Sequence, residues 1–228
     1  MRIAEIYRSL QGEGFLTGTE SVFVRVSGCN LRCSFCDTPF ASWNPEGEDL
    51  SVADIVEQVL SYSCRHVVLT GGEPLLFSEM IPLCSSLRSR ARHITVETAG
   101  TLYLPLACDL MSISPKLSNS TPTQEAAGNW RSRHERSRLA PDVVARLVAE
   151  YCYQFKFVID SRADCDEVAE YLGTHSGIDR SRVMLMPQGT DLTQLRETAK
   201  WLEPYCRSQG LYYCPRKQIE WYGAVRGT

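Results

Sequence analysis

Short apolar runs alternate with longer segments of helical periodicity along most of this chain, and this alternation limits the possible folds more than any other feature. Apolar runs of strand length lie at residues 21–27, 66–70, 93–98, 108–114, 153–159, 182–187 and 211–215. Segments with helical spacing lie between them, at 54–62, 78–90, 141–152, 164–175 and 192–208. Such alternation is typical of βα units arranged around a mostly parallel sheet.

The number of these units predicts how far the sheet can close. A complete barrel of eight βα units usually needs about 250 residues, whereas this chain has 228 and offers six or seven candidate parallel strands. We therefore expect an α/β fold, a partial (incomplete) TIM-like (β/α) barrel, built as one domain over residues 1–228.

One segment breaks the alternation. Residues 117–139 are polar, rich in Ser and Thr, and end with Arg131, Arg133, Arg136 and Arg138. Because this segment follows a predicted strand, we expect a polar loop insertion, either a functional lid or a solvated connector.

The charge balance limits the kind of partner. The chain carries 24 Lys and Arg against 27 Asp and Glu, a net charge of −3. This balance argues against a protein that mainly binds nucleic-acid phosphates, although it is compatible with a local basic patch. The first residues do not resemble a signal peptide, and no window approaches the roughly 18 apolar residues of a membrane span. We expect a soluble, cytoplasmic protein that binds neither membrane nor nucleic acid.

Ten cysteines in a chain expected to stay in a reducing compartment favour metal binding or reactivity over disulfides. Three of them, Cys29, Cys33 and Cys36, form a CxxxCxxC pattern directly after the strand at 21–27. The other seven are scattered, and we expect them to be small buried hydrophobic residues. They are Cys64, Cys84, Cys108, Cys152, Cys165, Cys206 and Cys214.

Three thiolates within eight residues can hold one face of a compact metal centre. Structural zinc normally takes four ligands, and no second cysteine pair lies near this one. A [4Fe–4S] cluster held by three cysteines leaves one iron open to a small-molecule ligand. The spacing therefore favours an iron–sulfur cluster over a zinc site.

The cysteine pattern resembles that of the radical S-adenosylmethionine (SAM) superfamily, whose CxxxCxxC loop follows the first barrel strand. Residues 70–74, Thr-Gly-Gly-Glu-Pro, resemble a second signature of that superfamily. Glycines there let the backbone approach a ligand, and a strand-terminal carbonyl or the Glu73 carboxylate can hold an ammonium group. The resemblance implies that SAM binds the open iron and that an electron cleaves it to methionine and a 5′-deoxyadenosyl radical.

Five further segments resemble a narrower family, the 7-carboxy-7-deazaguanine synthases. These segments are 9–14 (SLQGEG), 23–25 (FVR), 36–38 (CDT), 114–116 (SPK) and 156–158 (KFV), and they span nearly the whole chain. The resemblance implies that 6-carboxy-5,6,7,8-tetrahydropterin is converted to 7-carboxy-7-deazaguanine. The conversion would be a magnesium-dependent radical ring contraction with loss of ammonia, a step toward queuosine and other 7-deazapurines.

The same resemblance implies roles for individual residues. Cys29, Cys33 and Cys36 would bind the cluster, and Thr38 would bind Mg²⁺, whose other ligands would be mostly water and substrate oxygens. The residues implied in substrate binding are Leu10, Gln11, Gly12, Arg25 and Thr70. The residues implied in SAM binding are Gly72, Glu73, Ser114, Pro115, Lys116, Met186, Pro187, Gln188 and Gly189.

Two of these residues also have a purely structural interpretation. Arg25 stands between Val24 and Val26 in a predicted strand. A buried guanidinium needs an anionic partner, either a substrate carboxylate or a structural Asp or Glu. Thr38 and its neighbour Asp37 would otherwise form a turn cap after the cysteine pattern.

The C-terminal part departs from the family pattern. The family often has a histidine ahead of a Trp-Gly, where this chain has Gln218 ahead of Trp-Tyr-Gly, so the role of that histidine is open here. Some members place their C-terminal carboxylate in the substrate site, and the sequence leaves open whether Thr228 does so. We expect structural or surface roles for the four histidines, His66, His93, His134 and His175, at strand starts or in loops.

Two alternative functions stay open at this point. A glycyl-radical activase would use the same cysteine pattern to act on a partner protein, and a non-catalytic iron–sulfur scaffold would use it without turnover. Nothing in the chain resembles a flavin site or a second cluster pattern, so we expect a flavodoxin or ferredoxin to donate the electron. A homodimer is implied by the resemblance alone.

Overall fold

One nine-stranded sheet forms the centre of the computed structural model, which describes residues 1–228. The strands are β1 Arg2–Leu10, β2 Glu20–Val26, β3 Glu48–Asp49, β4 His66–Gly71, β5 His93–Thr98, β6 Leu110–Ile113, β7 Tyr153–Ile159, β8 Val183–Pro187 and β9 Tyr212–Tyr213. Their order in the sheet is β3-β1-β2-β4-β5-β6-β7-β8-β9. Every neighbouring pair from β2 to β9 is parallel, and the two outer strands do not pair with each other, so the barrel is open.

Eight α-helices connect or follow these strands. They are α1 Val52–Leu60, α2 Met80–Arg88, α3 Gln124–Ala127, α4 Asn129–Arg138, α5 Pro141–Glu150, α6 Arg162–Thr174, α7 Leu192–Gln209 and α8 Lys217–Tyr222. The seven predicted strands and five predicted helices are all present, with ends that move by no more than two residues. The predicted partial (β/α) barrel is therefore confirmed.

Strands β1 and β3 are additions that the sequence pattern did not predict. β1 pairs antiparallel with β2, and β3 pairs antiparallel with β1. Only Ile3 of β1 is fully buried, and most of its other residues are half-buried. A strand of this kind lacks the apolar run or the clean alternation from which strands are recognised.

The prediction that residues 117–139 form a loop is wrong. The segment contains the short 3₁₀ turn Ser118–Ser120 and the helices α3 and α4. α4 has no apolar face, because its one buried side chain is His134. Hydrophobic periodicity cannot reveal such a helix.

Alternation along the central strands separates the core from the functional face. Val22, Val24 and Val26 of β2 belong to the hydrophobic core, whereas Phe23 and Arg25 face a cavity. Successive side chains of a strand point to opposite faces, so each strand contributes to both regions. The packed core therefore fixes the direction of the cavity residues.

Five of the seven scattered cysteines are buried as predicted. Cys152 is exposed and Cys108 is half-buried, so the prediction is wrong for these two residues. Both lie just outside the ends of regular elements, Cys152 directly ahead of β7 and Cys108 ahead of β6. None of the helices combines the length and the apolar character needed to cross a bilayer.

Candidate active site

The carboxyl ends of the parallel strands open into a cavity of about 610 Å³. This end of a (β/α) sheet collects the loops that bind ligands. Side chains of five successive strands in the sheet line the cavity, Tyr7, Arg25, Thr70, Glu97 and Ser112. Residues far apart in sequence therefore share one site.

The cysteine loop, residues 27–38, lies directly after β2 at one side of this cavity. Cys29, Cys33 and Cys36 all line the cavity as free thiols. Burial raises the pKa of Cys29 to about 12 and the pKa of Cys33 to about 11. The Cys33 sulfur makes no hydrogen bond, and the Cys36 sulfur lies 3.1 Å from the Ser42 hydroxyl. Cys29 and Cys33 therefore stay protonated near neutral pH until a metal replaces the proton.

Backbone contacts hold the cysteine loop in place on two sides. The amide of Ser34 donates to the carbonyl of Ser120 at 2.9 Å. The amide of Arg32 donates to Nδ1 of His134 at 3.1 Å. On the other side, the indole of Trp43 donates to the carbonyl of Cys33 at 3.0 Å. The loop is therefore positioned by residues outside the cysteine pattern.

The Gly-Gly-Glu turn packs directly against the base of the cysteine loop. A Cβ at Gly72 would collide with the carbonyl oxygens of Gly28 and Ala41, so only glycine allows this approach. The sequence predicts that the Glu73 carboxylate contacts a ligand, but in the structure this residue does not line the cavity. That carboxylate is buried outside the cavity and accepts hydrogen bonds from Leu75 N and Ala99 N at 3.1 and 2.8 Å, and from Thr98 Oγ1. Burial raises its pKa.

A charged network lies on the opposite side of the cavity and consists of Glu13, Glu97, Lys156 and Arg216. Nζ of Lys156 lies 3.0 Å from Glu13 and 3.2 Å from Glu97. Arg216 binds Glu13 at 3.3 Å, donates to the carbonyl of Gly189 at 2.7 Å, and pairs with Asp37 of the cysteine loop. Asp37 thus links the two sides of the cavity.

Lys156 and Arg216 are buried, Glu13 and Glu97 are half-buried, and the four charges compensate one another. Burial alone would raise the pKa of Glu13, but Lys156 and Arg216 lower it to about 2. Burial alone would lower the pKa of Lys156, but Glu97 and Glu13 raise it above its ordinary value. Around neutral pH, Glu13 is therefore a carboxylate and Lys156 an ammonium group.

Polar side chains extend this network toward the centre of the cavity. Thr70 Oγ1 donates to Glu97 at 2.8 Å, and the amide of Gln11 donates to Glu97 at 3.3 Å. Nε2 of Gln218 donates to Glu13 at 2.6 Å. The carbonyl oxygen of Gln218, Oε1, is buried and has no hydrogen-bond partner.

The sequence left open whether Arg25 binds a substrate carboxylate or a structural Asp or Glu. In the structure it has a structural carboxylate partner, Glu5. Its Nε donates to Glu5 at 2.7 Å, and its Nη2 donates to the Tyr7 hydroxyl at 3.0 Å. Arg25 pairs in register with Glu5 across β1 and β2, which explains the contact. Its Nη1 makes no hydrogen bond within the protein, and the residue lines the cavity. Both interpretations of Arg25 are therefore compatible with its position.

Thr38 also lines the cavity, at the end of the cysteine loop. It precedes the 3₁₀ turn Pro39–Ala41, but its hydroxyl does not cap that turn. Its one recorded side-chain contact is with the Cys36 sulfur, at 3.8 Å. The hydroxyl is therefore free of a capping role and open to a ligand.

The C-terminal tail, residues 223–228, forms part of the cavity wall, and Thr228 is among the lining residues. Arg226 holds this tail through Glu5 and Glu46, at 3.1 and 3.0 Å, and lies 3.9 Å from the ring centroid of Phe40. The sequence left open whether Thr228 reaches the substrate site, and in the structure Thr228 reaches the cavity.

Comparisons with known proteins agree with this geometry. A family model described as the radical SAM superfamily matches residues 23–120. A 7-carboxy-7-deazaguanine synthase of Rhodopirellula baltica is 46% identical over 227 residues, which cover 99% of this chain and 88% of the relative. This chain belongs to the 7-carboxy-7-deazaguanine synthase family.

Further similarities support membership in this synthase family. A 7-carboxy-7-deazaguanine synthase of Halobacterium salinarum is 42% identical and covers 95% of this chain and 88% of the relative. The crystal structure of QueE from Escherichia coli superposes with a TM-score of 0.69 at 22% identity, covering 95% of this chain and 93% of that one. The structural likeness shows the fold alone. The chain is thus a radical SAM enzyme, and the scaffold and activase alternatives lose their support.

Membership in the synthase family implies a [4Fe–4S] cluster and SAM, and the cysteine loop fits this implication. Three free thiols line one cavity. Gly72 packs against the carbonyl oxygens of Gly28 and Ala41, beside the start of the cysteine loop. No three His, Cys, Asp or Glu side chains are arranged to hold a single metal ion. Thiolate donors with no fourth protein ligand suit a cluster that has an open iron.

Most of the predicted site residues of this synthase come together around the cavity. Those that line it are Leu10, Gln11, Gly12, Arg25, Cys29, Cys33, Cys36, Thr38, Thr70, Gly72, Ser114, Lys116, Met186 and Gln188. Glu73, Pro115, Pro187 and Gly189 do not line it. None of the four histidines lines it, and His134 lies inside α4 instead of a loop.

The charged network is the part of the synthase site that the sequence analysis missed. Glu97 and Lys156 sit in β5 and β7 among apolar neighbours, HITVET and YQFKFVI. A charged residue within a buried strand is a signal in itself, because such a charge needs a partner. Arg216 and Tyr7 carry no comparable signal in the sequence.

Proposed function

We propose that this enzyme converts 6-carboxy-5,6,7,8-tetrahydropterin to 7-carboxy-7-deazaguanine in the 610 Å³ cavity, with Mg²⁺ as a cofactor. The product equals the substrate minus one molecule of ammonia, so the conversion involves no net oxidation or reduction. The observation that carries this proposal is that one cavity joins the cysteine loop to the charged network.

The cysteine loop supplies the radical side of the proposed reaction. Cys29, Cys33 and Cys36 would hold the [4Fe–4S] cluster, which together with SAM supplies a carbon-centred radical when both are bound. The Gly72 turn, the main chain near Ser114 and the Met186 region border this side. They would hold the SAM molecule against the loop.

The opposite side of the cavity would orient the pterin. A pterin ring carries several N–H donors and ring acceptors, and the buried Gln218 Oε1 is an acceptor without a partner. Glu13 and Glu97 offer further carboxylate oxygens, and the amide of Gln11 is nearby. An unpaired buried acceptor gains most from a ligand donor, since leaving it unpaired costs about 1–3 kcal/mol.

The carboxylate of the pterin needs a cationic partner, and Arg25 would provide it. The Nη1 group of Arg25 is free, while Glu5 and Tyr7 fix the rest of the guanidinium. A guanidinium fixed in this way presents a planar donor edge without losing further rotamer freedom on binding. Arg25 would therefore serve both as a structural ion-pair partner and as a substrate anchor.

Mg²⁺ would bind at Thr38, next to the cysteine loop. Mg²⁺ prefers six oxygen ligands and usually keeps several waters, so one protein hydroxyl with water and substrate oxygens suffices. The Thr38 hydroxyl faces the cavity and caps no turn. This position would place the ion between the thiols and the pterin.

The test is anaerobic reconstitution with iron and sulfide, followed by incubation with the pterin, SAM, Mg²⁺ and dithionite. We expect mass spectrometry to show a product lighter than the pterin by one ammonia. A parallel incubation without pterin should show methionine and 5′-deoxyadenosine, whose formation takes two electrons per SAM from dithionite. SAM cleavage without any deazapurine would contradict the proposed substrate and leave the radical chemistry intact.

A matched pair of variants tests the magnesium proposal. Thr38→Val keeps the shape and removes the hydroxyl, so magnesium stimulation should shrink while iron content stays at the wild-type level. Thr17→Val is the control, because Thr17 lies outside the cavity. Undiminished magnesium stimulation in Thr38→Val would contradict the assignment.

A further inference from the structure

Tyr7 is a half-buried residue of β1 whose side chain lines the cavity. It pairs in register with Phe23 of β2, which lines the same cavity. The two rings stack with their centroids 5.2 Å apart and their planes at 10° to each other. A cross-strand aromatic pair is a favourable contact, so the stack holds the Tyr7 ring in place. The position of the Tyr7 hydroxyl is therefore fixed by the fold.

The Tyr7 hydroxyl uses only its acceptor capacity within the protein. Nη2 of Arg25 donates to it at 3.0 Å, while Nε of Arg25 donates to Glu5 at 2.7 Å. A phenol has one proton to donate in addition to its acceptor lone pairs. No hydrogen bond within the protein uses that proton. Two donors in this part of the cavity, the Tyr7 hydroxyl and Nη1 of Arg25, are therefore free for a ligand.

The neighbouring carboxylates of the cavity are engaged by other donors. Each oxygen of Glu5 already accepts from an arginine, Oε1 from Arg25 at 2.7 Å and Oε2 from Arg226 at 3.1 Å. Glu97 forms its hydrogen bonds within and next to the charged network, at 2.8 to 3.3 Å. The proton of the Tyr7 hydroxyl therefore needs an acceptor from a ligand or from solvent.

The phenol of Tyr7 keeps its proton at neutral pH. Burial is the largest influence and raises the pKa of Tyr7 above its ordinary value of 10.0, and the guanidinium of Arg25 offsets only part of this rise. A hydroxyl that accepts from a cation is also polarised, which strengthens the hydrogen bond that it donates. Because the guanidinium occupies one side of the oxygen, the proton points away from the cation and suits an anionic acceptor.

We propose that Tyr7 is a further substrate-binding residue, which donates its hydroxyl proton to the carboxylate of the bound pterin. The inference rests on the proposed function, in which Arg25 anchors that carboxylate. Nη1 of Arg25 and the Tyr7 hydroxyl then hold the carboxylate through two charge-assisted hydrogen bonds. Tyr7 favours a carboxylated pterin in this way, since a site built to hydrogen-bond a group rejects analogues that lack it.

Two other roles for Tyr7 predict different results. If Tyr7 served only the packing of β1 on β2, its loss would weaken the binding of pterins with and without the carboxylate alike. If Tyr7 served only to hold the guanidinium of Arg25, its effect would vanish once residue 25 no longer carried a guanidinium. A ligand without the carboxylate and a second substitution at Arg25 therefore separate the three roles.

The test variant is Tyr7→Phe, which keeps the ring stacked on Phe23 and removes only the hydroxyl. The reconstituted enzyme, with SAM and Mg²⁺ but without reductant, is titrated anaerobically with two ligands in a calorimeter. They are 6-carboxy-5,6,7,8-tetrahydropterin and the tetrahydropterin that lacks the carboxylate. Tyr151→Phe is the control, because the Tyr151 hydroxyl accepts from Leu106 N at 2.8 Å and donates to the Leu104 carbonyl at 2.9 Å, outside the cavity.

We expect Tyr7→Phe to lose about tenfold or more in affinity for the carboxylated pterin, because it removes a hydrogen bond to a charged group. Its affinity for the pterin without the carboxylate should change by less than about twofold. Tyr151→Phe should bind both ligands as wild type does. In an Arg25→Lys background, Tyr7→Phe should still lower the affinity for the carboxylated pterin, since a direct contact does not need the guanidinium.

Equal affinity of wild type and Tyr7→Phe for the carboxylated pterin would overturn the inference and leave the proposed function intact. Equal losses for both pterins would also overturn it, because Tyr7 would then serve packing alone. The same holds if Tyr7→Phe causes no further loss in the Arg25→Lys background, which would show that Tyr7 acts only through Arg25. If wild type binds no carboxylated pterin, the proposed substrate is wrong, and the inference falls with it.

Discussion

The charged network and the cysteine loop, on opposite sides of the cavity, differ in whether their polar groups find partners within the protein. In the charged network, Lys156, Glu13 and Arg216 satisfy one another within the protein. In the cysteine loop, Cys33 has no hydrogen-bond partner at sulfur, and burial raises the pKa of the Cys29 and Cys33 thiols. The network is complete without a ligand, whereas the loop is held by its backbone and completed by a metal.

This difference separates stability from cofactor binding. A buried charge that loses its partner is costly, so changes in the network should weaken the fold. A thiol without partners contributes little to the fold, so changes in the loop should remove the cofactor and leave the apoprotein folded. The following variants test this division, in order of decreasing effect.

The largest effect is expected for Cys33→Ala, which should abolish iron and sulfide binding after anaerobic reconstitution. A site with three thiolates has no spare ligand. The free energy of unfolding of the apoprotein should change by no more than about 1 kcal/mol. Iron analysis and urea unfolding measure the two quantities.

The control for this variant is Cys84→Ala, in the core of α2. It should keep the iron and lose stability, the reverse of Cys33→Ala. Retention of a full cluster by Cys33→Ala would show that the cysteine loop does not bind it.

Lys156→Met should lower the free energy of unfolding of the apoprotein by roughly 3 kcal/mol, because the half-buried Glu13 and Glu97 keep their charges without their shared buried cation. Urea unfolding measures the change. Lys200→Met is the matched control, since Lys200 forms an exposed pair with Glu197, and such pairs contribute about 0.5 kcal/mol or less. Similar losses in both variants would mean that the network does not stabilise the fold.

The pH dependence of stability should report Glu13. Its pKa falls from an ordinary 4.5 to about 2 on folding, so its contribution is fully present above pH 4.5 and is lost as the pH falls through 2. The shift corresponds to a contribution on the order of 3 kcal/mol. Urea unfolding of the apoprotein between pH 5 and 2 should therefore show a shallower decline in Glu13→Gln than in wild type. Parallel curves would exclude Glu13 as the origin of the decline.

Arg25→Lys should weaken pterin binding about ten- to a hundredfold, because a lysine cannot present a planar donor edge to a carboxylate. Iron content and SAM cleavage without pterin should stay near wild type. Equilibrium binding of the pterin to the reconstituted enzyme measures the effect.

Arg8→Lys is the control for Arg25→Lys, since Arg8 forms an exposed pair with Glu20 and lies outside the cavity. If Arg25→Lys lowered the melting temperature and left pterin affinity unchanged, Arg25 would act only as the partner of Glu5. Arg25 would then stabilise the fold, as the charged network does, without binding the substrate.

The sequence by itself determined the features that depend on short stretches of chain. The cysteine pattern lies within eight residues, and each apolar strand carries its own signal, so both were readable without the fold. The segment that became α4 was not readable, because its helix buries only His134. Hydrophobic periodicity detects a helix only when one of its faces is apolar.

Tertiary structure decided which charges meet. Lys156 lies 143 residues from Glu13 and 59 from Glu97, and Arg216 lies 203 residues from Glu13. Whether Arg25 meets Glu5 depends on the register between β1 and β2, and a shift by one residue would turn the side chains to the other face. An ion pair depends on distance in space, which only the assembled sheet sets, whereas a strand or a metal-binding loop depends on neighbours along the chain.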